Sequence, residues 1–106
     1  RHVLIALHHQ PVLVGSLWID RYALDRADGF WSVVDRFSQV RCVAWGHVHQ
    51  DFHALRSEVA LLGSPSTVAN SLPGRETFTL DTGGPAVRWL ELGVDGTLET
   101  GLLRTL

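Results

Sequence analysis

Two short apolar runs, each followed directly by histidines, constrain the fold of this chain more than any other feature. The runs are Val3–Leu7 and Cys42–Trp45, and both are rich in residues that favour strands. Continuous apolar runs of this length predict strands that are buried on both faces of a sheet. Pro11 follows the first run and cannot continue a strand ladder. The chain is therefore predicted to be built around a sheet that contains these two strands.

A helix is predicted between the two runs, over Asp28–Ser38, with Asp28 as its N-cap. Residues 11–26 before it are predicted to form a loop with a helical turn near Ile19–Leu24. Apolar residues at helical spacing predict one buried face, formed by Phe30, Val33, Val34 and Phe37. Because a strand–helix–strand passage normally makes its strands parallel, both histidine-bearing ends should lie at one edge of the sheet.

The second half of the chain has a different pattern, with short alternating stretches separated by turn residues. The Asp95-Gly96 dipeptide between two such stretches predicts a β-hairpin. This half is predicted to be antiparallel or mixed sheet, which makes the chain an α/β protein. The predicted strands are Phe52–Leu55, Val59–Leu62, Glu76–Leu80, Val87–Leu92 and Thr97–Leu102.

The composition limits the possible function. With 106 residues, 45% of them hydrophobic and 19% charged, the chain is too apolar for disorder. No apolar run approaches the roughly 18 residues of a membrane span. A net charge of −2 argues against binding to nucleic acid or to an anionic membrane. The only cysteine, Cys42, cannot form an internal disulfide, so we expect a reducing, cytoplasmic location.

Three histidines stand at the predicted strand ends. His8 follows the first strand, whereas His47 and His49 follow the second strand and Gly46. If the segment after the second strand is extended, His47 and His49 project to the same side. Neutral imidazole is the side chain most often used as a metal ligand. The sequence therefore predicts metal ligation at this edge of the sheet.

Three segments together resemble the C-terminal half of the bacterial cyclic-AMP phosphodiesterases, members of the calcineurin-like metallophosphoesterase superfamily. They are His8-His9-Gln10-Pro11 after the first strand, Trp45-Gly46-His47-Val48-His49-Gln50, and Gly63-Ser64-Pro65-Ser66-Thr67. The resemblance implies a four-layer αββα sandwich with two divalent metal ions, Fe, Mn or Zn, at the strand ends. It further implies that His8 and His47 bind one metal and His49 the other, with His9 as the alternative to His8.

The same resemblance implies that part of the site is missing. The Asp-x-His, Gly-Asp and Gly-Asn-His motifs of the family precede the first matched strand, and none stands there in this chain. Asp51-Phe52-His53 spells Asp-x-His, but it follows the second histidine segment and is interpreted as coincidental. Residues 1–106 are therefore expected to be the C-terminal part of a metallophosphoesterase domain that is inactive alone. The chain also lacks methionine, which favours the same interpretation.

The predicted function of the whole protein is hydrolysis of 3′,5′-cyclic AMP to 5′-AMP. The expected partner is this small cyclic nucleotide, with neither nucleic acid nor membrane involved, and the protein is expected to be a homo-oligomer. One alternative is a metallophosphodiesterase for another small substrate, such as a glycerophosphodiester. A second alternative is a non-enzymatic fragment that self-associates through apolar sheet surface left uncovered.

Overall fold

A four-stranded mixed sheet forms the centre of this computed structural model, which describes residues 1–104. Its strands are β1 (Val3–Leu7), β2 (Val40–Trp45), β3 (Phe52–Arg56) and β4 (Val59–Gly63), in the order β1-β2-β4-β3. Two helices lie between β1 and β2: α1 (Leu17–Asp20) and α2 (Ala27–Val34). Two strand pairs follow β4: β5 (Asn70–Ser71) with β6 (Leu80–Asp81), and β7 (Ala86–Leu92) with β8 (Leu98–Arg104). Neither helix of this described part is long enough and apolar enough to cross a membrane.

The strands β1, β2 and β4 run parallel, and their carboxyl ends lie at one rim of the sheet. Leu7 is the register partner of Trp45, and Trp45 is the partner of Gly63. The predicted parallel pairing of the two histidine-bearing strands is therefore confirmed. Whatever follows Leu7 and Trp45 in the chain must begin at this rim, which is why the two histidine segments meet.

Helix α2 covers one face of the sheet, and the predicted buried face is only partly confirmed: Val34 is buried as predicted, and Phe30 is partly buried against the core. The helix is Ala27–Val34 and buries Trp31 and Val34, whereas Val33 and Phe37 are about half exposed. Asp28 lies inside the helix, and the N-cap is Arg26 with a left-handed backbone. The large indole of Trp31 belongs to the apolar cluster on this face and donates its N–H to the Pro11 carbonyl. Burial of this ring sets which face of the helix meets the sheet, and Val33 and Phe37 do not lie on that face.

Strand β1 is an edge strand, and the prediction that it is buried on both faces is wrong. Val3 and Ala6 are exposed, and the other three residues of the strand are only partly buried. Its single neighbour in the described chain is β2, to which it pairs in parallel. By contrast β2 lies between β1 and β4, and four of its six residues from Cys42 onwards are buried without interruption.

The β7–β8 hairpin contributes to the covering of the other face. Leu98 of β8 packs against the small cluster formed on that face by Cys42, Ala44, Ala60 and Leu62. The Arg88 guanidinium also reaches from β7 to the Gly63 carbonyl at the rim, with an N···O distance of 3.0 Å. The predicted α/β class is confirmed. The described residues supply a helix layer, a sheet and one hairpin of a further β layer, so the four-layer sandwich stays a prediction.

Most of the short strands predicted in the second half are confirmed. Strands β3, β4, β7 and β8 form within one or two residues of the predicted bounds, and the Asp95-Gly96 turn joins β7 to β8. The prediction of a strand over Glu76–Leu80 is wrong, because only Leu80–Asp81 pairs, with Asn70–Ser71. Residues 73–78 are all exposed, so no buried face holds that stretch in a sheet.

Candidate metal centre

Three imidazoles meet at the rim where β1 and β2 end. His8 and His9 follow β1, His47 follows β2, and one ring nitrogen from each lies within 4.8 Å of the others. The closest pair is His8 Nε2 and His47 Nδ1, which are 3.2 Å apart. The ring of His9 is also close to that of His47, with 4.3 Å between the centroids. We call His8, His9 and His47 the imidazole cluster.

The prediction that the segment after β2 is extended, so that His47 and His49 project to the same side as in a strand, is wrong. His47 has φ 62° and His49 has φ 51°, both in the left-handed region. This conformation costs a residue with a side chain roughly 1–2 kcal/mol. Val48 between them is fully buried and donates its N–H to the Gly46 carbonyl at 2.6 Å. Burial of Val48 thus helps to hold a turn that directs His47 towards His8.

His49 lies beside the imidazole cluster and is not part of it. Its Nδ1 is 3.1 Å from the carbonyl oxygen of Ala69, which ties the ring to the segment before β5. Its charge still contributes to lowering the pKa of His47, so the two rings are electrostatic neighbours. The structure therefore brings His8 and His47 together and leaves His49 at the side of the pair. The assignment of His8 and His47 to one metal and His49 to another stays a prediction.

His9 joins the cluster with its tautomer fixed by the backbone. Its Nδ1 lies 2.6 Å from the carbonyl oxygen of Tyr22. Because a carbonyl only accepts, Nδ1 carries the proton, and in the neutral ring Nε2 keeps its lone pair. Histidines that bind metals usually donate their second ring nitrogen in this way. The sequence left His8 and His9 as alternatives, and the structure places both rings against His47.

The surroundings of His47 favour its uncharged form. Burial lowers the pKa of His47 below its ordinary value of 6.5, and the neighbouring rings of His9, His8 and His49 lower it further. The Nε2 atom of His47 is buried and has no hydrogen-bond partner within the described chain. An unprotonated nitrogen in that position suits a metal ion, and imidazole ligands suit Fe, Mn or Zn. The cluster thus fits the histidine part of a metal centre, and within residues 1–104 it includes no carboxylate.

The lowered pKa of His47 gives a pH-dependent prediction. Because the folded chain resists protonation of His47, the unfolded chain binds more protons below pH 6.5, and the free energy of unfolding should fall as the pH falls. Above that pH both states are neutral at His47 and its contribution is complete. We expect an NMR titration of the His47 ring to give a midpoint below 6.5. Replacing His8 by glutamine removes one neighbouring charge and should raise the midpoint, whereas a His47 midpoint at or above 6.5 in the unaltered chain would contradict the electrostatic description.

The structure places the Asp-x-His segment outside the cluster. The Asp51 carboxylate forms an ion pair with the Arg88 guanidinium, and the His53 side chain is exposed on β3. The side chain of Arg88 is nearly buried, so this ion pair joins the hairpin to the end of the second histidine segment. Neither Asp51 nor His53 belongs to the imidazole cluster.

Comparison with known proteins agrees with the resemblance inferred from the sequence. The chain is 43% identical over 104 residues to the 3′,5′-cyclic adenosine monophosphate phosphodiesterase CpdA of Pseudomonas aeruginosa, and 39% identical over 104 residues to that of Escherichia coli K12. It is 44% identical over 101 residues to a 3′,5′-cyclic-nucleotide phosphodiesterase of Nostoc. These matches cover 95–98% of this chain but 38% of each relative. No family model matches the chain.

Proposed function

We propose that this chain, which is similar over nearly its whole length to bacterial cyclic-AMP phosphodiesterases, is the C-terminal part of a metal-dependent phosphodiesterase. The chain spans about 38% of the length of the relatives it matches. The catalytic centre of the whole protein is therefore proposed to be shared between this chain and a preceding segment. This chain is proposed to supply histidine ligands and the rim that carries them.

The observation that carries the proposal is the pairing of His8 and His47 across two parallel strands. The nitrogens that face each other are 3.2 Å apart, although the residues are 39 positions apart in the chain. Two imidazoles held this close can each offer one ring nitrogen to the same cation after a small rotation of either ring. A surface histidine pair without a ligand would gain little from occupying a strained left-handed position such as that of His47.

We assign the histidines by combining this geometry with the resemblance. His8 and His47 hold one metal, His49 belongs to the second, and His9 faces the same space from the Tyr22 side. Each ring must be unprotonated to act, which the lowered pKa of His47 favours. Two divalent ions, when bound, would supply Lewis-acid activation of the phosphodiester and of water. The cluster lacks carboxylates, so the remaining ligands are assigned to the preceding segment.

The proposed reaction is hydrolysis of 3′,5′-cyclic AMP. Water adds to phosphorus, the bond between phosphorus and the 3′ oxygen breaks, and a proton is delivered to that oxygen to give 5′-AMP. The names of the relatives support a cyclic nucleotide as the substrate class, and the Nostoc relative is named without a restriction to adenine. The role of this chain in the step is to hold neutral imidazoles in fixed positions, so that no ring has to move when charge develops on the phosphate.

The experiment that tests the proposal is a substrate panel assayed on the full-length protein with added Mn²⁺, Fe²⁺ or Zn²⁺. The panel contains cyclic AMP, cyclic GMP, glycerophosphocholine and bis(p-nitrophenyl) phosphate. We expect metal-dependent turnover that is fastest on cyclic AMP, with 5′-AMP as product. Fastest turnover on glycerophosphocholine would support the other metallophosphodiesterase function. A protein inactive on the whole panel, with a 106-residue chain that binds no metal and sediments as a dimer, would favour the non-enzymatic alternative.

A further inference from the structure

A chain of buried hydrogen bonds lies directly behind the second histidine segment. Ser16 Oγ accepts from the Gly74 N–H at 2.9 Å and donates to Gln50 Oε1 at 2.9 Å. The Gln50 amide then donates to Ser71 Oγ at 3.1 Å, and that hydroxyl donates to the Val48 carbonyl at 3.3 Å. Ser16, Gln50 and Ser71 are each at most 2% exposed. We call these three side chains the amide relay.

The direction of the amide relay is fixed by its chemistry. Because the Ser16 hydroxyl accepts the Gly74 N–H, its own proton is free to be given to the Gln50 carbonyl oxygen. The Gln50 NH₂ group can only donate, so the Ser71 hydroxyl accepts from it. That hydroxyl in turn donates a hydrogen bond to a backbone carbonyl of the histidine segment. Only a side chain with an acceptor at one end and a donor at the other completes this path.

The amide relay connects three segments that belong to different parts of the fold. Ser16 precedes α1, Gln50 follows His49, and Ser71 belongs to β5. The backbone adds one further bond at the same place, from the Ser71 N–H to the His49 carbonyl at 2.8 Å. The turn that carries His47 and His49 is therefore hydrogen-bonded to both of the other segments.

We propose that Gln50 is a positioning residue, which holds His47 and His49 in their left-handed conformations through Ser16 and Ser71. This inference rests on the proposed function for its purpose, the alignment of metal ligands. It can be tested separately from metal binding, because it predicts the conformation of His47 in the metal-free chain. Without the buried amide, Ser71 loses the donor that leaves its own hydroxyl proton for the Val48 carbonyl, and Gln50 no longer connects the turn to Ser16. The turn can then adopt conformations in which His47 leaves His8.

The test compares Gln50→Leu and Gln50→Glu with an Arg56→Met control in the 106-residue chain. Leucine keeps the volume but removes both hydrogen bonds, whereas glutamate keeps the acceptor and removes the donor. Arg56 pairs with Asp35 and lies over the Trp31 ring, far from the rim, so Arg56→Met lowers stability without touching the amide relay. Each variant is examined at a temperature where circular dichroism shows it folded. Ser71→Ala replaces either Gln50 variant that does not fold.

Two readouts are taken: the ¹⁵N–¹H correlations of the His8 and His47 rings without metal, and the affinity for Co²⁺ followed by its visible absorption. We expect both Gln50 variants to shift or broaden the His47 ring signals and to weaken Co²⁺ binding by about 10–100-fold, the range seen when residues that orient metal ligands are changed. Arg56→Met should leave the ring signals and the Co²⁺ affinity unchanged, even where it lowers the melting temperature as much as the Gln50 variants do.

The outcomes separate the two proposals. His47 signals that are unchanged in Gln50→Leu, or equally changed in Arg56→Met, would overturn the positioning role whether or not metal binds. Absence of Co²⁺ binding in the unaltered chain, together with a His47 signal that depends on Gln50, would count against the metal centre and leave the positioning role supported.

Discussion

Replacing His47 by alanine in the full-length protein is expected to lower kcat/KM for cyclic AMP by about a thousandfold or more. A metal ion that polarises a phosphodiester contributes several kcal/mol to transition-state stabilisation, and about 4 kcal/mol corresponds to three orders of magnitude. His47 is the ring shared by both close contacts of the imidazole cluster, to His8 and to His9. Without His47, the end of β2 contributes no imidazole to the cluster. The measurement is steady-state kinetics at saturating Mn²⁺, with metal content determined on the same sample.

The matched control is His53→Ala. His53 is an exposed histidine on β3, six residues along the chain and outside the imidazole cluster. It should retain activity near that of the unaltered protein, since surface substitutions usually change stability by less than about 0.5 kcal/mol. A His47→Ala protein with full activity would contradict the assignment of this residue. Equal losses in both variants would show that activity depends on histidine content and not on the rim.

The second large effect is expected in stability, from Leu62→Ala. Leu62 of β4 is fully buried and belongs to the cluster against which Leu98 of the hairpin packs. Truncation of a buried leucine removes its transfer free energy and leaves a cavity, which together destabilise by about 2–5 kcal/mol. In a chain of this size that is a large part of the total free energy of unfolding. Urea denaturation followed by tryptophan fluorescence measures the change.

Leu55→Ala is the matched control, because it makes the same substitution on the neighbouring strand β3. Leu55 is 71% exposed, so removing its side chain should change the free energy of unfolding by less than about 0.5 kcal/mol. The comparison tests whether this face of the sheet is a packed layer. Similarly small costs for the two variants would mean that the face carrying Leu62 is open to solvent and that the hairpin does not cover it.

The sheet was predictable because its signal is local. The apolar runs that became β1 and β2 need only hydrophobicity and β-propensity, and the Asp95-Gly96 hairpin needs only turn chemistry. The exposure of β1 was not predictable in this way, because it depends on what packs against the faces of the strand and not on the run itself. The face of α2 was only partly predicted for a related reason: the indole of Trp31 donates to the Pro11 carbonyl, a partner 20 residues away that the spacing of apolar residues does not indicate.

The candidate site shows the same division between local and distant information. Placing His8 and His47 at one rim followed from strand polarity alone. The sequence predicts an extended segment after β2, yet His47 and His49 have left-handed backbones. The strain is held by Val48 burial and by contacts from distant segments, which a pattern of neighbouring residues does not reveal.

The amide relay was missed although a signal for it exists. Gln10 and Gln50 each follow a histidine directly, and both are almost completely buried. A glutamine that adjoins candidate ligands in two separate segments favours a supporting role, because a buried amide must be hydrogen-bonded to be tolerated. The partners of Gln50 lie 34 and 21 residues away, so its contacts required the fold.

Titration of the ¹³C,¹⁵N-histidine-labelled chain with substoichiometric Mn²⁺ tests most directly whether the rim binds metal. A paramagnetic ion broadens the signals of the rings that surround it and leaves distant rings sharp. We predict that His8, His9 and His47 broaden first and together, while His53 stays sharp. Broadening of His53 before these three, or equal broadening of every histidine, would contradict the metal centre.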